Sequence, residues 1–156
     1  LQRPKYVELL AGEPIERFSG ASPDVVVGPA IGGIILAYEV ARQLGIRMAF
    51  TERENGKMKF RRDFVLEKNN SVLVVEDVVT TGSSAQEVID VVEETGAKII
   101  GVGILVDRSG GKIQFKYPFH PLLQMEVMTY SPDECPLCQE HIELQKRGSR
   151  NLSANP

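Results

Sequence analysis

The sequence predicts an α/β fold with a mainly parallel central sheet flanked by helices. Two observations lead there. Short β-branched apolar runs alternate along the chain with stripes of apolar residues at helical spacing, the pattern of strands buried beneath covering helices. The strongest of these runs ends in two adjacent carboxylates and a hydroxyl-rich turn, and ligands gather at the carboxyl ends of strands in open α/β sheets.

Three strand–helix units are legible. Residues 24–28 (Asp-Val-Val-Val-Gly) form a short β-branched run ending at glycine, a buried-strand signal. Ala37, Val40, Ala41 and Leu44 then recur at helical spacing, and Gly45 closes that helix. Residues 48–51 read as a second, weaker strand. Residues 53–63 lack sustained apolar periodicity and read as a mobile loop or an exposed hairpin. Residues 72–75 are the strongest strand; Ala85, Val88, Ile89 and Val92 form the next helical stripe, which Gly96 ends. Residues 99–106 are a further buried strand, and residues 122–128 an expected edge strand. Residues 1–148 read as one domain, and 149–156 as a frayed tail.

The bulk numbers exclude several classes. A chain of 156 residues with 42% hydrophobic and 25% charged residues suits one globular domain with a sizeable core. A formal net charge of −3 argues against a nucleic-acid binder, which needs a basic surplus. No apolar run approaches the ~18 residues that would span a bilayer, and no secretory leader opens the chain, so neither nucleic acid nor membrane is expected as a partner. Two cysteines make no disulfide framework, and a cytoplasmic location is expected.

The chemistry concentrates in residues 71–84, Ser-Val-Leu-Val-Val-Glu-Asp-Val-Val-Thr-Thr-Gly-Ser-Ser. Glu76 and Asp77 end the strand. Thr80, Thr81, Gly82, Ser83 and Ser84 follow immediately before a helix. Hydroxyls, a glycine and the outward-pointing amides of a helix N-terminus make an anion site. Carboxylates accept from ribose hydroxyls, so a sugar phosphate fits both halves. An acidic turn with an ordinary Thr/Ser cap is the bland alternative. No Gly-Lys-Ser/Thr is present for a P-loop, and no Gly-x-Gly-x-x-Gly follows a strand.

Residues 74–84 resemble the phosphoribosyl-pyrophosphate (PRPP) motif of the type I phosphoribosyltransferases. The Glu-Asp-Val-Val-Thr-Thr-Gly form is similar to that of the orotate branch of the family, and the likeness runs from about residue 20 to about residue 150. The resemblance implies the type I phosphoribosyltransferase fold and a PRPP site made of Glu76, Asp77, Val78, Val79, Thr80, Thr81, Gly82, Ser83 and Ser84. It implies a pyrophosphate-binding turn at Ala30, Ile31, Gly32 and Gly33, where glycines permit close backbone approach. It places Arg53, Lys57 and Lys59 in a catalytic loop whose cations stabilise the leaving pyrophosphate. The family often carries a second basic residue where Glu54 stands and a histidine where Lys59 stands, so Lys57 is the first choice among them.

Arg108, after the strand 99–106, falls where the orotate enzymes meet the pyrimidine carboxylate, a task suited to a guanidinium; Thr80 is its matching residue. The implied reaction is orotate plus PRPP giving orotidine 5′-phosphate and pyrophosphate, in de novo pyrimidine synthesis. Mg²⁺ is the implied cofactor, carried mainly by PRPP with no direct protein ligand set. The implied assembly is a homodimer whose catalytic loop reaches the other subunit. A purine phosphoribosyltransferase and a PRPP-sensing regulator are the alternatives on the same fold. The family's N-terminal hood segment lies ahead of the position of Leu1, which implies weak or absent turnover for the chain as given. Cys135-Pro-Leu-Cys138, with His141 close by and His120 elsewhere, falls short of a closed zinc site. A buried or turn cysteine pair is expected, and zinc at Cys135 and Cys138 is not.

Overall fold

Val25, Val26 and Val27 are all fully buried, as a strand must be when helices cover both faces of its sheet. The computed structural model describes residues 1–128, 130, 131 and 133–142; the expected tail at 149–156 lies outside the described residues. In chain order the elements are α1 (Pro4–Arg17), β1 (Val25–Pro29), α2 (Gly32–Leu44), β2 (Arg47–Glu54), β3 (Lys57–Phe60), β4 (Ser71–Val79), α3 (Ser83–Glu94), β5 (Lys98–Asp107), β6 (Phe119–Gln124) and α4 (Pro136–Gln139).

The six strands form one sheet in the order β3-β2-β1-β4-β5-β6. Every pairing is parallel except the antiparallel β2–β3. From β1 the chain crosses outward through α2 to β2. From β4 it crosses the other way through α3 to β5. Right-handed crossovers running in opposite directions put their helices on opposite faces, and the packing follows. Val25, Val27, Val72 and Val74 lie under α3 with Ala85, Val88, Ile89 and Val92. Val26, Leu73 and Val75 lie under α2 with Leu36, Ala37 and Val40. The strand order reverses between β1 and β4, and the carboxyl ends of strands at such a switch are where open α/β sheets bind ligands.

The sequence leaves residues 53–63 open between a mobile loop and an exposed hairpin, and the hairpin is what forms: β2 continues to Glu54 and turns through Asn55 (φ 51°) and Gly56 (φ 79°) into β3. Two positive φ values in an Asn-Gly pair are the signature of a tight hairpin turn. The edge strand is Phe119–Gln124, not 122–128. Its partner β5 ends at Asp107, which pairs with Gln124, and beyond that point the ladder gives way to an isolated antiparallel bridge between Ser109 and Glu126. Helix α1 went unpredicted. Its Val7, Ala11 and Pro14 are buried at helical spacing, but two prolines disguise it: Pro4 at the start, where proline is tolerated, and Pro14 near the end. Among the described residues, no helix is long and apolar enough to cross a membrane.

Helix α1 docks through Phe18, which packs edge-on to His120 of β6 with ring centroids 5.4 Å apart. Phe18 also occupies the space where a side chain on Gly101 of β5 would stand. Gly101→Ala is therefore expected to cost about 1–3 kcal/mol by overpacking. Gly12, inside α1 with nothing within 4 Å of its would-be side chain, is expected to gain about 0.5–1 kcal/mol as alanine. Denaturant unfolding of the two variants checks the opposite signs.

Candidate active site at the strand switch

The acidic pair closing β4 is split by strand geometry. Successive side chains point to opposite faces, so Glu76 follows Val72 and Val74 toward the α3 side, while Asp77 follows Leu73 and Val75 toward the α2 side. Glu76 is buried and Asp77 half-buried. Asp77 Oδ1 accepts the Val78 N–H at 3.0 Å, and a side chain on Gly32 would stand 2.6 Å from the same oxygen. Asp77 thus sits directly on the first residue of α2, in the space that a side chain there would take.

The turn after β1 is packed with equal closeness. A Cβ on Gly28 would lie 2.6 Å from the Gly33 carbonyl oxygen, and one on Gly33 2.6 Å from Pro29 Cδ. The Ala30 N–H donates to the Thr51 carbonyl at 2.7 Å, tying the turn to β2. The Ala30–Ile31 peptide is cis, and Ile31 is 74% exposed at the tip. The structure therefore brings residues 30–33 against Asp77, two pieces that are distant in sequence.

Between β4 and α3, Thr80 and Thr81 are exposed. Gly82 precedes the first turn of α3 with φ 75°, a left-handed conformation that disfavours side chains. Thr81 Oγ1 and Ser83 Oγ share a hydrogen bond of 2.6 Å, and Thr81 Oγ1 accepts the Ser83 N–H at 3.4 Å. The hydroxyls thus gather around the helix N-terminus, where the amides and the dipole favour an anion.

Beside this loop lies a cleft of about 710 Å³. One wall is Thr80, Thr81, Gly82, Ser83 and Gln86; the other is Arg108, Ser109, residues 112–115 and Val127. Arg108 comes to Thr80 because β5 lies next to β4: the Arg108 N–H donates to the Val79 carbonyl at 2.9 Å. Sequence reasoning found Thr80 and Arg108 but missed Gln86, Ser109 and residues 112–115. The missed signal was Ser109-Gly-Gly111, a turn placed directly after a buried strand. Gly110 and Gly111 both take positive φ, which folds residues 112–115 back toward the cleft. The turn hangs on Asp107, fully buried, whose Oδ1 accepts the Ser109 N–H at 2.8 Å.

The β2–β3 hairpin rises from the same carboxyl edge. Arg53 makes a two-pronged contact with Glu87 of α3, at 2.8 and 2.5 Å, and Met58 is buried in the core under α3. Lys59 pairs with Glu54 at 3.1 Å, Arg61 with Glu54 at 3.4 Å, and Arg62 with Glu52 at 2.9 Å. The Lys59 hydrogen bond, then the Arg61 charge, hold the Glu54 carboxyl below the usual range. Among the described residues, Lys57 has no ion-pair partner, and it is exposed.

Cys135 stands just ahead of the short helix α4 and Cys138 within it, both free and half-buried thiols; of the buried or turn pair the sequence suggests, the fully buried form is not seen. Among the described residues, no three His, Cys, Asp or Glu side chains converge on a point that could hold a metal.

A mainly parallel sheet, a glycine turn and an acidic pair meeting at its switch, and a hydroxyl cradle ahead of α3 define a type I phosphoribosyltransferase. Residues 5–123 match the phosphoribosyl transferase domain family. The chain belongs to the orotate phosphoribosyltransferase family. It is 56% identical to the orotate phosphoribosyltransferase of Caldanaerobacter subterraneus subsp. tengcongensis over 97% of its own length and 80% of that relative's. It is 51% identical to that of Desulforamulus reducens, over 98% of this chain and 80% of the relative. Among solved structures, an adenine phosphoribosyltransferase from Rhodothermus marinus matches with a TM-score of 0.68 at 22% identity, over 79% of this chain and 81% of that one. The orotate phosphoribosyltransferase from Aeropyrum pernix matches with a TM-score of 0.62 at 23% identity, over 77% and 70%. These structural likenesses carry the fold; the higher identities carry the family.

The two glycine contacts predict different failures. Gly28→Ala drives a methyl into backbone that cannot move aside, and is expected to cost about 1–3 kcal/mol. Gly32→Ala meets only the end of the Asp77 side chain, which can rotate away, and is expected to cost less than about 1 kcal/mol. Paired thermal unfolding curves decide whether that ranking holds.

Proposed function

We propose that the chain transfers the 5-phosphoribosyl group from PRPP to orotate, giving orotidine 5′-phosphate and pyrophosphate in de novo UMP synthesis. The observation that carries this reading is the cleft lined by both Arg108 and the hydroxyl cradle of residues 80–83: a guanidinium suited to a carboxylate shares one cleft with a loop suited to a phosphate. Residues 80–84 hold the 5′-phosphate through hydroxyls and amides. Asp77 and Glu76 orient the ribose hydroxyls rather than attack carbon. The turn at Ala30, Ile31, Gly32 and Gly33 approaches the pyrophosphate with its backbone. Thr80 and Arg108 hold the orotate. The transition state of such a transfer has oxocarbenium character, so charge builds on the departing pyrophosphate. A cation from the hairpin stabilises it, and Lys57 suits that task best because it has no internal partner among the described residues.

Magnesium suits this site as an ion borne by the substrate. The oxygen donors of Asp77 and Glu76 match a hard cation that keeps its waters and leans on phosphates, and no closed protein cage is present among the described residues. When bound, the ion supplies charge neutralisation on the pyrophosphate. The protein's own part is to hold the ribose face and exclude water while the hairpin closes. An exposed Lys57 on a hairpin that projects past the sheet edge also suits a twofold dimer in which it reaches the neighbouring site. Two free thiols fit a reducing cytoplasm.

Titration of the PRPP-loaded protein with orotate, adenine and hypoxanthine tests the reading: orotate alone should bind, and equal binding of a purine base would remove it. Lys57→Ala is expected to lower the rate of pyrophosphate release at least about hundredfold, with orotate binding little changed. If Lys57 acts across a dimer, mixing the Lys57→Ala and Arg108→Ala variants should restore about a quarter of the unsubstituted activity, since half the molecules become heterodimers with one intact site. No recovery on mixing would confine Lys57 to its own subunit.

A further inference from the structure

The cradle at residues 80–84 contains hydroxyls, amides and a helix N-terminus but no cation. A phosphomonoester carries close to two negative charges at neutral pH. Arg108 enters the cleft beside the start of the loop, where its backbone N–H donates to the Val79 carbonyl, and the function proposed above assigns its guanidinium to the base. The cleft has a second cation on its far wall, Lys112.

Lys112 is held opposite the middle of the phosphate loop by a built turn. Ser109 Oγ accepts the Lys112 N–H at 3.1 Å and the Ile113 N–H at 3.3 Å. Ser109 is in turn fixed by the fully buried Asp107 at 2.8 Å. The next side chain, Ile113, brings its Cγ2 to 3.0 Å from where a Cβ on Gly82 would stand, and Phe115 brings Cζ to 3.4 Å. The segment carrying Lys112 is therefore seated on Gly82 itself. The ammonium's partner, Glu126 at 3.7 Å, is 73% exposed and Lys112 77%; such a pair is worth little and releases its lysine readily.

We propose that Lys112 is a second-wall ligand of the 5′-phosphate, closing from the β5 side the cradle that residues 80–84 open from the α3 side. This assignment rests on the reading of the site as a phosphoribosyl site. Arg108 then reads the base and Lys112 the phosphate, so the two cations of the cleft divide its two anionic ligands between them. The ammonium suits the phosphate end because a compact point charge needs no fixed plane, whereas the guanidinium fork matches a carboxylate.

The test is a ligand comparison by titration calorimetry on the intact chain, using orotidine 5′-monophosphate and orotidine, which differ only in the phosphate. Lys112→Ala should weaken the monophosphate about tenfold, as expected for losing one charge-assisted hydrogen bond, and leave orotidine unchanged. Lys112→Arg should stay within a few fold of the unsubstituted protein. Lys116→Ala, outside the cleft lining and paired with Glu93, should change neither ligand and so controls for net charge. Equal weakening of both ligands would place Lys112 at the base or show a collapsed turn, and no weakening would show a solvated lysine; either overturns the assignment. If the unsubstituted protein binds neither nucleoside ligand, the orotate reading fails first. Ribose 5-phosphate then tests Lys112 alone: a similar loss with Lys112→Ala upholds it, and an unchanged or absent interaction overturns it.

Discussion

Strands β1 and β4 are neighbours, yet their helices leave on opposite faces of the sheet. The site depends on that arrangement. Because α2 and α3 diverge, the two connecting loops meet at the carboxyl ends of their strands, with a helix N-terminus behind each. Backbone fills the space between them, since Gly28, Gly32 and Gly33 each occupy a place where a side chain would strike Gly33, Asp77 or Pro29. The turn after β1 can consequently lie close against the acidic end of β4. At Gly28 a side chain would meet backbone that cannot move aside, and at Gly32 it would displace the Asp77 carboxylate.

The same geometry resolves an electrostatic difficulty. Two carboxylates in adjacent positions would repel one another if they shared a face. Strand alternation sends Glu76 toward the α3 side and Asp77 toward the α2 side, so the two carboxylates stand on different faces of the sheet. The hairpin shows a related economy. Glu54 and Lys59 pair with each other at 3.1 Å. Lys59 lies two strand positions beyond Lys57, the cross-strand partner of Glu54. The two charges offset each other, and Lys57 remains without an ion-pair partner among the described residues.

Much of this was legible before the fold was known, for a physical reason. Residues 72–84 carry their strand, acidic pair and cradle in one contiguous run, so local pattern suffices. Thr80 and Arg108 could be paired because each follows a buried strand, and consecutive parallel strands place their ends side by side. What pattern reading lost is equally specific. The hairpin at residues 53–63 was legible only as one of two alternatives, because the charges around Asn55-Gly56 compete with its turn signal. Helix α1 was masked by Pro4 and Pro14. Residues 112–115 were invisible as site residues because nothing in their own sequence marks them. Their role comes from Asp107 anchoring Ser109, and from Ile113 and Phe115 meeting Gly82, contacts made across about thirty residues of chain.

Gly82 joins these two levels. Its φ of 75° explains it locally as the turn that aims the α3 amides at the cradle, and a local account would stop there. The contact with Ile113 and Phe115 adds a second, independent requirement, because a side chain would lift the β5-side wall away from the cradle even if the dihedral were tolerated. A residue constrained twice, once by its own backbone and once by a neighbouring loop, couples the two walls of the cleft. The segment carrying Lys112 rests on Gly82 on one side and, through Ser109, on the buried Asp107 on the other. The two walls of the cleft are therefore both built from the ends of β4 and β5, neighbours in the sheet.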